Sequence, residues 1–285
     1  MRNDLFSLIN KKLPFFTKAE RKVATLVLSN PYDIMNLSIT ELAKQFGVSD
    51  TSIFRFCKKL NLEGYQDFKM SLVLSLSGSD TAEYATLSDQ INVDDSTDEV
   101  CQKLLATNID ALKQTFESLD YSKISAAVDM IEQARMIHLY GMGSSGVMAL
   151  EAKNRFSRIL PNLVFEADAH MQEMSSSLLG PEDLAIAFSY SGSSKDTISV
   201  FKRSKSNGAK CLCITHFPDS HLTAYADVVL VCSANEGPFQ GGSLSARIAQ
   251  LFMLDVLYTE YFKKHFVTSD RNKKLTTRAI TGKLL

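Results

Sequence analysis

One change of apolar period constrains this chain more than any other feature. Up to about residue 77 the large apolar residues recur at helical spacing. In TKAERKVATLVLSN, Thr17 and Glu20 form a capping box, Val23, Leu26 and Val27 make a stripe, and Asn30-Pro31 ends the helix. Past an acidic stretch the helical spacing continues through two more elements before it changes. Ser96 and Glu99 open a helix running to about Leu119, and SKISAAVDMIEQA makes another. Short apolar runs then alternate with amphipathic stretches: RMIHLY, NLVFEA, DLAIAFSY, KCLCITH and DVVLVC, with a last long helix from about Ser243. This alternation predicts a mainly parallel sheet with helices on both faces. The expected fold class is therefore an all-α domain over 1–77 followed by an α/β domain over 98–285.

From Gly78 to Val100 the stretch GSDTAEYATLSDQINVDDSTDEV has 7 acidic residues, no basic one and few large apolar residues, and 78–97 reads as an acidic linker. With 45% hydrophobic residues in 285, both flanking parts can build a core, which excludes a disordered or fibrous protein. No apolar run approaches the roughly 18 residues of a membrane span, and MRNDLFSLINKK lacks a secretory apolar stretch. A cytoplasmic protein without membrane contact is expected. Cys57, Cys101, Cys211, Cys213 and Cys232 form no CxxC and no zinc-type spacing with His, so reduced thiols and no metal site are expected.

Charge divides with the period. Residues 1–77 hold 11 Lys/Arg against 7 Asp/Glu, and the remainder holds 20 against 25. That asymmetry fits a nucleic-acid-binding head on an acidic body. Within the head, ITELAKQFGVSDTSIFRFCKKL has helix-turn-helix spacing. Ile39, Leu42, Ala43 and Phe46 face Val48, Ile53 and Phe56 across a turn at Gly47; Ala43 must be small at the crossing, and Gly47 can take the positive φ of the turn. Ser49 or Asp50 caps the second helix. Its N-terminal side chains Thr51, Ser52 and Arg55 are expected to reach base edges, with Lys44, Lys58 and Lys59 on phosphates. Cys57, on the same helix, reads as an inert half-buried thiol.

Two loops follow strands and open helices. Gly141-Met142-Gly143-Ser144-Ser145-Gly146 is a GxGxxG in the right context for a dinucleotide, with Glu166 at the ribose distance in sequence. The second loop, Ser189-Tyr190-Ser191-Gly192-Ser193-Ser194, points elsewhere. Two hydroxyl-rich loops at strand C-termini, with little apolar surface for an adenine, offer convergent donors to one anion. A phosphate on a polar body, such as a sugar phosphate, is the better fit, and no cofactor is expected.

These residues, with FTKAERKVATLVLSNP, NGAKCLCITHFPDSHLTAYADVVL and SARIAQLFMLDVLY, give a chain that resembles the RpiR-family transcriptional regulators over nearly its whole length. In that family a helix-turn-helix domain precedes a sugar isomerase (SIS) domain of flavodoxin-like type. The resemblance implies a homo-dimer or tetramer on palindromic operator DNA, with a phosphosugar effector in the SIS domain. Positions matching the SIS phosphate motif are Ser144, Ser145, Ser189, Ser191 and Ser194, flanked by Gly143, Gly192 and Ser193. Many relatives carry Glu-Thr where this chain has Ser193-Ser194, a departure that bears on which sugar is accepted.

SIS domains also serve isomerases, which need a base beside the carbonyl. His170 and Glu173 lie three apart on one helix face, and His216 and Glu236 follow later strands. Sugar contact is expected of His170 and Glu173, and structural roles of the others. Lys195 and Arg247 could add charge near a phosphate. The expected reading is a regulator and not an enzyme, the alternative being a sugar-phosphate isomerase with an accessory helical domain.

Overall fold

The computed structural model describes residues 5–35, 37–76, 86–88, 91–92, 94–233 and 244–282. The chain folds as two compact units, and the boundary between them falls within one long helix, after Ala106.

The first unit is helical: α1 (Leu5–Lys12), a 3-10 turn (Leu13–Phe15), α2 (Lys18–Ser29), α3 (Pro31–Met35), α4 (Ile39–Phe46), α5 (Asp50–Lys59) and α6 (Tyr65–Leu76). The Thr17/Glu20 capping box forms reciprocally at α2, and a second one, Ser38/Glu41, opens α4. The apolar stripes meet in a core around Val23, Val27, Leu42, Ile53, Phe56 and Phe68. Phe56 is its centre, fully buried, with Phe16 at 5.1 Å and Phe68 at 5.6 Å between ring centroids. Burying such a ring contributes on the order of 2–3 kcal/mol. Part of the segment expected as a linker pairs: β1 (Thr86–Ser88) runs antiparallel to β2 (Ile91–Asn92), and Ile91 is buried. Residues 78–85, 89–90 and 93 lie outside the described residues.

The second unit is the expected parallel sheet. After α7 (Thr97–Glu117) and α8 (Tyr121–Gln133) come β3 (Ile137–Tyr140), α9 (Ser144–Phe156), β4 (Leu163–Phe165), α10 (Ala169–Ser176), β5 (Leu184–Phe188), α11 (Lys195–Ser206), β6 (Lys210–Thr215) and β7 (Val228–Val231). The strands lie in the order β4-β3-β5-β6-β7, all parallel. All five residues of β5 are buried, as required of a central strand covered on both faces. Pleating sorts its side chains. Leu184, Ile186 and Phe188 join the core that includes α8 and α9 residues, whereas Ala185 and Ala187 join Val200 and Phe201 of α11. Cys211 and Cys213 belong to this second, small-residue face, where burial pushes the Cys211 thiol up to about 12 and raises that of Cys213. Both are packing residues, like Cys57, whose thiol burial likewise raises to about 12.

The last apolar stretch becomes two helices, α12 (Leu244–Lys264) and α13 (Phe266–Thr281), where the sequence predicts one. No helix among the described residues is long and apolar enough to cross a membrane.

Candidate functional site

The first candidate surface is the helix-turn-helix. Ser38 and Glu41 lock the start of α4, with Ser38 N–H donating to the Glu41 carboxylate at 2.7 Å and Glu41 N–H to the Ser38 hydroxyl at 3.1 Å. Gly47 ends it in the left-handed region, φ 58°, and Val48 N–H returns to the Ala43 carbonyl at 3.1 Å. Of the two candidate caps for α5 it is Ser49 that serves, accepting from Ser52 N–H at 3.2 Å; Asp50 is the first helical residue. With Ile53, Phe56 and Cys57 inward, Thr51, Arg55 and Lys58 are exposed, as is Lys44 on α4. Ser52 is half-buried and its hydroxyl lies 2.9 Å from that of Ser49. Lys58 stands over the exposed Phe54 ring at 5.5 Å.

Lys59 departs from its expected place. Its ammonium lies 2.6 Å from the Glu20 carboxylate and donates to the Phe15 carbonyl at 3.0 Å, so it staples α5 to α2 instead of facing outward. Burial alone would raise the Glu20 carboxyl. The hydrogen bonds from Lys59 and from the Thr17 amide and hydroxyl outweigh it and hold the group below its ordinary value. The partners are 39 residues apart, and nothing in the spacing of KKL announces the pairing.

The second candidate surface is the edge formed by the strand C-termini. The order β4-β3-β5 means the chain leaves β3 in one direction and returns on its other side, so the topological switch point lies between β3 and β5. Ligands of open α/β sheets bind at that point. Both hydroxyl-rich loops emerge there, from β3 and from β5.

Their backbones are tightly specified. A Cβ on Gly141 would come within 2.6 Å of the Ser145 carbonyl, and Gly143 has φ 55°. Gly192 has φ 60°, and a Cβ there would collide with the Ser220 hydroxyl. Within the second loop Gly192 N–H donates to the Ser189 carbonyl at 3.2 Å and Ser193 N–H to the Ser191 hydroxyl at 3.3 Å.

The helices that follow differ in their caps from most others here, although α13, with N-cap His265, also lacks a side-chain cap. A side chain accepts from the first-turn amides of α2, α4, α5, α8 and α10. At α9 (N-cap Gly143) and α11 (N-cap Ser194) no side chain does. The Ser194 hydroxyl instead accepts from Thr197 at 3.2 Å, and those of Ser144 and Ser145 have no partner among the described residues. Helix α10, which follows the outer strand β4, is capped by Asp168. At α9 the Ser145 and Gly146 amides turn back to the Met142 carbonyl at 3.1 and 3.2 Å, so no side chain is drawn into the start of either helix flanking the switch point, and the Ser144 and Ser145 hydroxyls stay available to an anion.

Three residues that sequence reasoning missed hold these loops. Gln172, fully buried on α10, donates through Nε2 to the Gly141 carbonyl at 3.1 Å and the Glu166 carbonyl at 2.7 Å, tying the ends of β3 and β4 together. Its signal was a polar pair, Gln172 and Ser176, on the buried side of α10. Thr215 Oγ1 donates to the Tyr190 carbonyl at 3.1 Å. Ser220 backs Gly192, and Leu222 N–H donates to the Gly192 carbonyl at 3.1 Å.

Of the candidate bases, His216 stacks on Tyr190 at 5.0 Å with planes 7° apart, and its Nδ1 lies 3.2 Å from the Cys232 carbonyl. It braces the second loop. Glu173 also differs from expectation: its carboxylate accepts from Arg203 at 2.8 and 3.0 Å, near the far end of α11, which makes it a link between α10 and α11 and not a crevice group. His170 is exposed at the start of α10. Lys195 is exposed in the first turn of α11, and Arg247 is half-buried with an Nε that has no partner among the described residues. Glu236 lies outside the described residues.

Comparison with known proteins bears on both surfaces. Residues 3–79 match the helix-turn-helix domain of the rpiR family and residues 130–260 the SIS domain. An uncharacterized HTH-type transcriptional regulator of Haemophilus influenzae is 36% identical over 242 residues, which are 85% of this chain and 84% of that one. One from Clostridium perfringens is 34% identical over 93% of this chain and 94% of its own length. The Vibrio vulnificus NanR protein, solved in complex with ManNAc-6P, has the same fold, with a TM-score of 0.84 at 24% identity over 99% of this chain and 100% of that one.

Proposed function

Since the chain belongs to the rpiR family of helix-turn-helix transcriptional regulators with a SIS domain, we propose that it binds operator DNA through α5 and adjusts that binding to a phosphosugar held between β3 and β5. One observation carries the effector reading: the first-turn amides of α9 and α11, both at the switch point, are left without side-chain caps. The phosphate sits at those two helix starts on the hydroxyls of Ser144, Ser145, Ser189, Ser191, Ser193 and Ser194, and Gly143 and Gly192 let the backbone approach. His170 at the rim contacts the sugar. That the Vibrio NanR protein is complexed with ManNAc-6P supports a ligand of this class.

On the DNA side, Thr51, Ser52 and Arg55 read bases, with Lys58 and Lys44 on phosphates. A homo-dimer or tetramer on a palindromic operator fits this reading, its half-sites about 34 Å apart. Closure of the two loops on the sugar shifts the separation of the recognition helices, and linkage makes the coupling reciprocal. The chain acts as a cytoplasmic sensor and not as an isomerase. In support, two of the groups that could take a proton are engaged structurally, Glu173 by Arg203 and His216 by Tyr190 and Cys232.

The test is fluorescence anisotropy on DNA from upstream of its own gene, titrated with a panel of sugar phosphates. Selective, salt-sensitive binding shifted by one sugar phosphate is expected, and Ser145→Ala should blunt that shift while leaving DNA affinity intact. No preference over random DNA, together with turnover of a sugar phosphate, would replace the regulator reading with the isomerase one.

A further inference from the structure

We propose that the outer face of α2 is a second DNA-contacting surface, a phosphate clamp beside the helix-turn-helix; it rests on the DNA-binding reading above. Helix α2 buries Glu20, Val23, Ala24 and Val27, which leaves Lys18, Arg21, Lys22 and Thr25 exposed on its other side. These four line an open depression of about 380 Å³. The distribution of charge is one-sided. The single acid of the helix, Glu20, is turned inward and neutralised by Lys59, so the outer face carries cations and no carboxylate. Neither Lys18 nor Lys22 has a side-chain partner among the described residues, and Arg21 uses one guanidinium nitrogen on the Phe16 carbonyl at 3.4 Å.

Position makes DNA the partner. The Lys22 ammonium lies 3.5 Å from where a Cβ on Gly47 would stand, so the cationic face adjoins the turn that delivers α5. Lys18 and Lys22 are separated by about 6 Å of helix rise. A duplex strand offers one phosphate per 3.4 Å of axis, so two neighbouring phosphates fall within reach of these flexible arms. The role of Lys59 follows from the same geometry: by neutralising Glu20 it removes the one charge that would oppose a phosphate here.

The experiment compares wild type, Lys18→Gln/Arg21→Gln/Lys22→Gln and the charge-conserving Lys18→Arg/Arg21→Lys/Lys22→Arg on two fluorescein-labelled duplexes, one from upstream of the gene and one of random sequence, between about 50 and 200 mM salt. The neutral triple should flatten the slope of log K against log salt by about 2 to 3 and weaken both duplexes by the same factor, at least about tenfold. The conserving triple should keep the wild-type slope, and unchanged circular dichroism and melting exclude misfolding. A neutral triple with wild-type slope and affinity overturns the clamp. So does one that keeps DNA binding but loses binding to polyglutamate, which would assign the face to an acidic protein. If wild type itself shows no salt-dependent, sequence-selective binding, the DNA reading fails first, and Arg55→Ala will then be silent as well.

Discussion

Two kinds of helix start distinguish the two candidate surfaces of this molecule. Helix α5 begins at Ser49, whose hydroxyl satisfies a first-turn amide, and it leaves Thr51, Arg55 and Lys58 exposed as the side chains proposed to meet DNA. Helices α9 and α11 begin without such a cap, and in the proposed reading their loops offer hydroxyls and helix starts to a phosphate. Sequence readout needs a rigid helix whose own groups are satisfied, so that direction resides in exposed side chains. Anion binding needs the reverse, a helix start left clear of side-chain caps by a loop that other residues keep in shape. Thr215, Ser220 and Gln172 do that holding.

The largest effect should come from severing one half without the other. Phe56→Ala empties the centre of the helical core and should cost about 3–5 kcal/mol, abolishing DNA binding at ordinary temperature. Phosphosugar binding measured by calorimetry should survive, and its loss would mean the two units do not fold independently. Next, Gly192→Ala imposes a positive φ on alanine and drives its Cβ into Ser220. Strain of about 1–3 kcal/mol in the loop should weaken sugar-phosphate binding about tenfold to a hundredfold with DNA affinity retained. Equal weakening of both ligands would deny that the loop belongs to one site.

Arg55→Ala sharpens the other half. A lost base contact costs about 1–3 kcal/mol of discrimination at one operator position, read by comparing operator variants, with no change in effector affinity. Ser49→Ala tests the cap itself, at about 1 kcal/mol of helical-unit stability in denaturant titration. The smallest effect is the Glu20–Lys59 staple. Because the folded-state carboxyl lies below its unfolded value, its contribution is present above the unfolded pKa of about 4.3 and is lost as pH falls through the folded value. Glu20→Gln should therefore lower stability at neutral pH and flatten the acid limb of a melting-versus-pH curve. An unaltered limb would show that another group governs it.

Much of this was legible in one dimension because its causes are local. A capping box spans three residues, a Gly turn one, and the switch from period 3.6 to short apolar runs is visible over a few elements. Thr17/Glu20, Ser96/Glu99 and the Gly47 turn stand where the sequence puts them. Ser38/Glu41 carries the same Ser-x-x-Glu signal at the start of α4. The α12–α13 division at His265 had no such signal, since apolar residues continue through KKHFV without a Gly or Pro. The Thr86–Asn92 pairing escaped because its strands are only three and two residues long, too short for a period to register.

What the sequence by itself determined is the order of the main helices and sheet strands and the two hydroxyl-rich loops, because these follow from residue-by-residue propensity and spacing. Tertiary structure decided which charged groups are spent. Lys59 is taken by Glu20 across 39 residues and Glu173 by Arg203 across 30, while His216 is laid flat on Tyr190. It also decided that β3 and β5 are neighbours, and so that two uncapped helices open from adjacent strands. A charged side chain can be assigned a ligand only once its intramolecular competitors are known, and those competitors are brought near by the fold and not by the chain's order.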